Sequence, residues 1–424
     1  MASNFKNIMK ILFINSSDKA GGASTAAFRL HLALKEKYQT ENSFIVADKL
    51  LPYEYIFSTR KKKYKIVIEK IIEKITSYIG LQYQFFPFSG SILLKKAKEI
   101  KPDIISLHNT HGGYFATPLL KKLSFIAPIV WTMHDMWPIT ASAAHTFEDT
   151  SWKSGRAGKN EFKIPPKTLI NNGNWLINQK KSIYQKSNLS FITPSRWLYQ
   201  IAKQSPLTQN KSISQIYNGL DTKVFFPYNK EEMRVKFAIP SNADVIIFSG
   251  DGNLINNPWK GGEELENILK KLNYSNKKNL IFLIIGKGEL TYLNDLQNVT
   301  VIKTGYINSE IEMAMYLSSA DLFIYPTKAD NLPNSLIEAI SCGLPCVTSD
   351  IGGCAEIIQD GITGKAINFG DGSKFAYEIL ALLSNKKILA QMKVNCRETA
   401  LRRFDSAKMA DSYFEFFSKI RSEL

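Results

Sequence analysis

Cysteine is scarce in this chain of 424 residues: four in all, at positions 342, 346, 354 and 396. None pairs with a histidine at zinc-finger spacing, and so few thiols cannot build a disulfide scaffold. Cys342 and Cys346 sit in apolar surroundings and are expected to be buried free thiols, which fits a reducing, cytoplasmic compartment. Long apolar runs are missing as well. The longest clean one is Leu280–Ile285, far short of the ~20 residues of a membrane-spanning helix. Before Gly21-Gly22 the only apolar core is Ile11–Ile14, so no signal peptide is expected. Neither G-x-x-x-x-G-K-[ST] nor G-x-G-x-x-G occurs, which removes the P-loop and the commonest dinucleotide fingerprint. D-x-D is also absent.

What is present is a globular composition, 44% hydrophobic and 22% charged. The length exceeds what one ordinary core accommodates, so two domains are expected. The net charge of +16 is unevenly placed: residues 1–200 hold 29 Lys/Arg against 13 Asp/Glu, and residues 201–424 hold 25 of each. An excess confined to the first half points to an anionic partner for that half, whether membrane surface, nucleic acid or phosphorylated acceptor. A lysine-rich solubility face is the structural alternative.

The first half reads as alternating strands and helices. Met9–Asn15 is a first strand feeding a loop with Gly21-Gly22, then a helix from about Thr25 to Lys37, the opening unit of a doubly wound sheet. Phe44–Ala47 follows as a strand. In Lys61–Gly80, Tyr64, Ile68, Ile71, Ile72, Ile75 and Ile79 form one helical stripe amid Lys61, Lys62, Lys63, Lys65, Lys70 and Lys74. Such a helix either packs its stripe on its own domain or lies in a membrane interface. Strands at Pro102–Leu107 and Ile129–Met133 lead into His108, His111 and His134, at the sheet edge where open α/β folds bind ligands. Residues 141–175 show little periodicity and read as a long loop or lid. Phe191–Ser195 is expected to be the last strand of the first half.

The pattern restarts after a linker at Asn218–Pro227. Asp244–Ser249, Leu280–Ile285 and Val299–Lys303 are strands, and Trp259-Lys-Gly-Gly262 opens a helix. Ala320–Pro326 is a buried strand stopped by proline. After it comes Asp330-Asn-Leu-Pro-Asn-Ser-Leu-Ile-Glu338-Ala-Ile-Ser-Cys-Gly343-Leu-Pro345, a loop, a helix from Ser335 to Ser341 and a Gly/Pro exit. A helix N-terminus entered from a loop presents unpaired amides and positive potential, a ready phosphate site. Asp330 in the loop and Glu338 one turn inside would flank a ligand held there; two surface acids on an ordinary strand–loop–helix unit are the alternative. A closing helix is expected over Ser406–Leu424.

With these motifs in hand, the sequence resembles the retaining glycosyltransferases of family 4. The acid–seven residues–Glu pattern is met by Asp330 and Glu338, followed by Ala339, Gly343 and Pro345. Supporting matches are Gly21-Gly22-Ala23, His134-Asp135, Pro194-Ser195, Asn218-Gly219-x-Asp221 with Phe226-x-Pro, Lys260-Gly261 and Gly352-Gly353-x-x-Glu356. The His134–Pro138 and Pro194–Leu198 segments are similar to the branch that builds capsule, exopolysaccharide and lipopolysaccharide O-chains. The resemblance implies an α/β fold of the GT-B type, two Rossmann-like doubly wound domains facing a central cleft. The expected domains are 1–215, with helix 406–424 packing back onto it, and 216–405.

It further implies that Glu338 binds the donor ribose, that Asp330 faces the transferred sugar, and that the amides of Asn334 and Ser335 hold the diphosphate. Lys260 would neutralise that diphosphate as it leaves. Asn331 and Leu332 belong to the same donor-binding loop, Tyr306 and Ile307 would flank the nucleobase, and Gly22 and His134 would meet donor or acceptor. Lys61, Lys62, Lys63, Lys65, Lys70, His108 and His111 fall on the acceptor or membrane side. The absent D-x-D fits the metal independence usual in this fold, and no cofactor is expected. Three departures stand out: Asp251 where many relatives carry Arg, no cysteine in Ala141–Ala144, and Pro333, which removes one amide from the motif loop.

The expected activity is transfer of a hexose from a UDP- or GDP-sugar to a lipid-linked saccharide, such as one on polyprenyl diphosphate, by a protein peripheral on the anionic inner face of the cytoplasmic membrane. The alternative, motivated by Asp251, is a weak or inactive relative serving as a partner or regulator in polysaccharide assembly. Charge is the only sign of nucleic-acid binding, so no nucleic-acid partner is expected.

Overall fold

The computed structural model describes residues 8–163, 167–250, 259–275, 279–286 and 296–423. Asp251 lies outside the described residues. The chain divides between Tyr217 and Asn218 and again between Ser406 and Ala407, against an expected boundary between 215 and 216.

The first unit is built on seven parallel strands: β1 (Lys10–Ser17), β2 (Glu41–Asp48), β3 (Ile56–Ser58), β4 (Ile104–Leu107), β5 (Ile129–Thr132), β6 (Leu189–Thr193) and β7 (Ile213–Gln215). Their order is β3-β2-β1-β4-β5-β6-β7, so the winding reverses between β1 and β4. A sheet covered on both faces needs strands apolar on both sides; Phe13, Ile14, Ile105, Val130 and Phe191 are all fully buried. β3 and β7, three residues each, are edge strands too short to announce themselves as apolar runs. The helix Ser406–Ser422 belongs with this unit. Tyr413 and Phe417 are buried in its core, Tyr413 Oη lies 3.0 Å from Thr132 Oγ1, and Phe414 stacks on Tyr38 at 3.8 Å.

Residues 141–163 are irregular, as their sequence suggests, but they are not a free lid. The buried Glu161 carboxylate accepts the Ser142 and Ala143 amides at 2.8 and 3.0 Å, and Trp152 is buried beside them. Capturing otherwise orphaned loop amides with one carboxylate is what lets aperiodic chain pack.

The basic helix runs from Lys63 to Tyr78, and its orientation is inverted relative to an ordinary surface helix. Glu69 and Thr76 are its buried residues, while Tyr64, Ile71 and Ile75 are 57%, 54% and 56% exposed. The reason is local. Glu69 accepts the Phe88 and Ser89 amides at 2.9 and 2.8 Å and the Ser89 hydroxyl at 2.5 Å, capping the helix Pro87–Ile100 from a neighbouring element. That anchor turns the polar side inward and leaves the isoleucine stripe outside.

The second unit carries six parallel strands: β8 (Asp244–Ser249), β9 (Leu280–Ile285), β10 (Val299–Gly305), β11 (Leu322–Tyr325), β12 (Cys346–Ser349) and β13 (Gly364–Ile367). The order β10-β9-β8-β11-β12-β13 is the Rossmann order, with its reversal between β8 and β11. All four cysteines are buried and free, and burial raises each thiol above its ordinary pKa.

Candidate active site

In the second unit the reversal point gathers the motif residues. β11 ends at Tyr325, Pro326 stops it, and the following loop is pinned from one point. The Trp259 carbonyl accepts the Lys328 and Ala329 amides at 2.8 and 3.2 Å and the Thr327 hydroxyl at 2.8 Å. This brings Lys260 beside Asp330. Gly261 makes the approach possible: its φ is +66°, and a Cβ there would sit 1.8 Å from the Pro326 carbonyl oxygen. On the other side Gly352, at φ +58°, presses against the same loop, where a Cβ would meet the Asp330 carbonyl oxygen at 1.9 Å. Only glycine satisfies both the left-handed backbone and the contact.

The result is a three-membered polar cluster. Lys260 Nζ donates to Asp330 Oδ2 at 3.0 Å and to Tyr325 Oη at 2.9 Å, and Tyr325 Oη donates to the same carboxylate oxygen at 2.7 Å. Burial would lower the Lys260 pKa, but Asp330 and then Tyr325 outweigh it and hold the ammonium well above its usual range. Burial and Asp330 together keep the Tyr325 phenol protonated. Lys260 is therefore a permanent cation, about a third exposed. Tyr325 is a site residue that motif spacing misses. Its signal is positional, a tyrosine closing a strand at the reversal point.

The helix Asn334–Ser341 begins just beyond this cluster, with Pro333, which has no side-chain acceptor, at its N-cap. Asn331 and Leu332 are buried in the loop, Asn334 Oδ1 accepts from Asn218 Nδ2 at 3.3 Å, and Ser335 and Glu338 are half-buried. The charge of Lys260 and the helix dipole thus converge on one unit's strand edge, where their positive potential favours an anion. Tyr306, 46% exposed, and Ile307 directly follow β10, which β9 and β8 separate from β11 along the same edge.

In the first unit the corresponding reversal point is bridged by Asn15. Its Oδ1 accepts the Asn109 amide at 3.1 Å and its Nδ2 donates to Ser24 Oγ at 3.2 Å, tying β1, the loop after β4 and the helix Gly22–Tyr38 together. Gly22 opens that helix. His108 and His134, at the ends of β4 and β5, meet at 2.9 Å between Nδ1 and Nε2. His108 also contacts Ser106 Oγ at 3.1 Å. Burial first, and then His134, lowers the His108 pKa. Burial lowers His134 to about 4, with Asp135 opposing and His111 assisting. Both rings are neutral at physiological pH. His108 is only 2% exposed. It is expected on the acceptor or membrane side, and the structure places it buried against His134. His111 Nε2 pairs with Asp135 Oδ2 at 2.8 Å, and that carboxylate also accepts the Trp137 amide at 2.8 Å. Lys180, buried on the Trp137 and Thr140 carbonyls, steadies this loop from beneath; burial lowers its ammonium to about 7.

Among the lysines assigned to the acceptor or membrane side, Lys61, Lys62, Lys63 and Lys70 are exposed, whereas Lys65 lies over the Phe88 ring at 4.9 Å. No helix among the described residues is long and apolar enough to cross a membrane.

Two Rossmann-ordered units, each with polar residues at its reversal point, define the GT-B architecture. The sucrose-phosphate synthase structure from Thermosynechococcus elongatus superposes with a TM-score of 0.70 at 14% identity, covering 98% of this chain and 100% of that one. Sequence comparison carries the class further. Residues 21–224 match Glycosyltransferase Family 4 and residues 243–385 match Glycosyl transferases group 1; together these stretches take in well over half of the chain, which belongs to this glycosyltransferase family. Among curated relatives, the N-acetyl-alpha-D-glucosaminyl L-malate synthase of Bacillus anthracis is 23% identical, over 48% of this chain and 53% of that protein. The UDP-Gal:alpha-D-GlcNAc-diphosphoundecaprenol alpha-1,3-galactosyltransferase of Escherichia coli is 25% identical over 77% of each.

Proposed function

We propose that this protein is a retaining glycosyltransferase that moves a hexose from a UDP- or GDP-sugar to a saccharide carried on polyprenyl diphosphate, in the synthesis of a cell-surface polysaccharide. The observation that carries this is the Lys260 ammonium, held 3.0 Å from Asp330 beside the N-terminus of the helix Asn334–Ser341. The donor diphosphate takes the place facing Lys260 and the Asn334 and Ser335 amides. Glu338 accepts from the ribose hydroxyls, Tyr306 and Ile307 flank the base, and Asp330 faces the sugar. The bond from the anomeric carbon to the diphosphate oxygen breaks, and the acceptor oxygen bonds to the same face. The acceptor proton passes to the departing diphosphate. Preorganised positive charge on that leaving group is the protein's main contribution, and no step is assigned to a metal or other cofactor. The E. coli relative's name supplies the precedent for a UDP-sugar donor and a diphosphoundecaprenol-linked acceptor.

The exposed isoleucine face of the helix Lys63–Tyr78, rimmed by Lys61, Lys62, Lys63, Lys70 and Lys74, is the surface we assign to the anionic membrane leaflet that holds such an acceptor. Apolar insertion with a cationic rim is how interfacial helices bind. The test is incubation of purified protein with UDP- and GDP-hexoses and a short polyprenyl-diphosphate-linked sugar. An α-linked product from an α-linked donor is expected. An inverted product, or neither binding nor turnover of any nucleotide-sugar, would contradict the proposal.

A further inference from the structure

The opposite edge of the second sheet carries another charged cavity. Asp244 starts β8 and Asp321 immediately precedes β11, so both lie at N-terminal strand ends, roughly 15 Å from the opposite ends of those strands by strand rise. The helices Lys230–Lys236 and Lys386–Arg403 place Lys230, Arg234, Lys386 and Lys393 around a cavity of about 510 Å³ that these two carboxylates also line.

Both carboxylates are already engaged. Asp321 accepts from Arg234 and from the Val245 amide, each at 2.9 Å, and pairs with Lys230. Asp244 pairs with Lys386 at 2.5 Å. Lys393 is the remaining cation, half-buried, with no carboxylate in ion-pair contact among the described residues. Burial and then Lys230 push its ammonium below the ordinary range, Asp321 opposes this, and Arg234 and Lys386 add to it. Four cations against two committed acids leave a surplus of positive charge in a partly enclosed space, an arrangement that disfavours the unliganded protein and favours an anion. A second cavity of about 390 Å³ shares Lys230 and Lys393 and has an apolar wall including Pro227, Tyr228, Leu344 and Val394.

We propose that these adjoining cavities form a binding site for a phosphate ester with an apolar body, its phosphate on Lys393 between Lys230 and Lys386 and its organic part against Tyr228 and Val394. Phosphate suits several converging ammonium groups because it spreads multiple charges over three terminal oxygens. The site lies at the other end of the strands from the proposed donor site, so its occupant is a second ligand. A prenyl phosphate and a nucleotide share the required chemistry.

Isothermal titration of wild type, Lys393→Met and Lys386→Met with geranyl phosphate, uridine monophosphate and inorganic phosphate tests this. The Lys260 edge is intact in all three proteins, so differences between them report on the second cavity alone. Lys393→Met keeps the aliphatic stem and relieves the repulsion. It is expected to melt at or above the wild-type temperature while binding one of the two esters at least about tenfold more weakly. Lys386→Met, altered at an exposed side chain, is expected to show a smaller loss of the same ester. Preference for geranyl phosphate would mark a lipid source and preference for uridine monophosphate a nucleotide. Equal binding of both esters by wild type and Lys393→Met would overturn the site, and inorganic phosphate binding as tightly as the esters would overturn its apolar half.

Discussion

Replacing Gly352 with alanine tests whether the Asp330 loop is set by backbone contact. The added Cβ would lie 1.9 Å from the Asp330 carbonyl oxygen and 3.1 Å from its carbon. An ordinary carbon–oxygen contact is about 3.3 Å, so loop or turn must retreat by roughly 1.4 Å. The left-handed backbone adds about 1–2 kcal/mol for a residue with a Cβ, and overpacking adds about 1–3 kcal/mol. For a unit of this size the combined loss of about 2–5 kcal/mol lowers its melting temperature by roughly 5–15 °C. A misplacement of ~1 Å at a reacting centre costs about 100-fold in rate, so nucleotide-sugar turnover falls by that order. Gly361→Ala is the control: φ is +73° but nothing lies within 4 Å of the new Cβ. It carries the backbone cost of about 1–2 kcal/mol with turnover unchanged. Thermal unfolding and turnover measured side by side decide the matter. If Gly352→Ala behaves like Gly361→Ala in both, the contact does not position Asp330.

Other outcomes follow from the same geometry. Burial holds His134 at about 4 against about 6.5 in the unfolded chain; the unfolded state therefore takes up a proton that the native state refuses. Stability from this group is complete above pH 6.5 and declines as pH falls toward 4, by about 3 kcal/mol; urea midpoints at pH 7 and 4.5 should show the decline, and His134→Gln should flatten it. Asp321→Ala strands the buried Arg234, which it holds at 2.9 Å; a loss of about 3–5 kcal/mol is expected in urea unfolding, and a loss under 1 kcal/mol would refute the role of this pair. Ile71→Glu with Ile75→Glu alters two exposed side chains, so melting should be unchanged while sedimentation with phosphatidylglycerol vesicles at 0.15 M salt falls at least about tenfold. Unaltered sedimentation would remove this helix from the membrane surface.

Most of the fold is legible in the sequence because a parallel sheet covered on both faces writes its strands as short apolar runs. Leu280–Ile285 and Ala320–Tyr325 are of that kind, and the restart at Asp244 follows from them. β3 and β7 escape because three-residue edge strands carry too little pattern. The Asp330–Glu338 spacing and the Lys260-Gly261 pair come directly from sequence. Tyr325 and Asn15 do not, because each has a partner far off in the chain, Lys260 for Tyr325 and Asn109 for Asn15. The helix Lys63–Tyr78 has the predicted period, but periodicity cannot say which face turns inward. Glu69 decides that through two amides nearly twenty residues away. His108 reads as a loop histidine beside a ligand edge, and its burial follows from the ring of His134 stacked over it at 5.2 Å.

Lys260→Met is the most direct test of a diphosphate site at the Asn334 helix end. Titration with UDP and GDP should show that the nucleotide bound by wild type binds the variant at least about 30-fold more weakly, because the cation facing the diphosphate is lost while the Asp330 carboxylate stays. Equal affinity of wild type and Lys260→Met for that nucleotide would contradict the assignment of this edge to the donor.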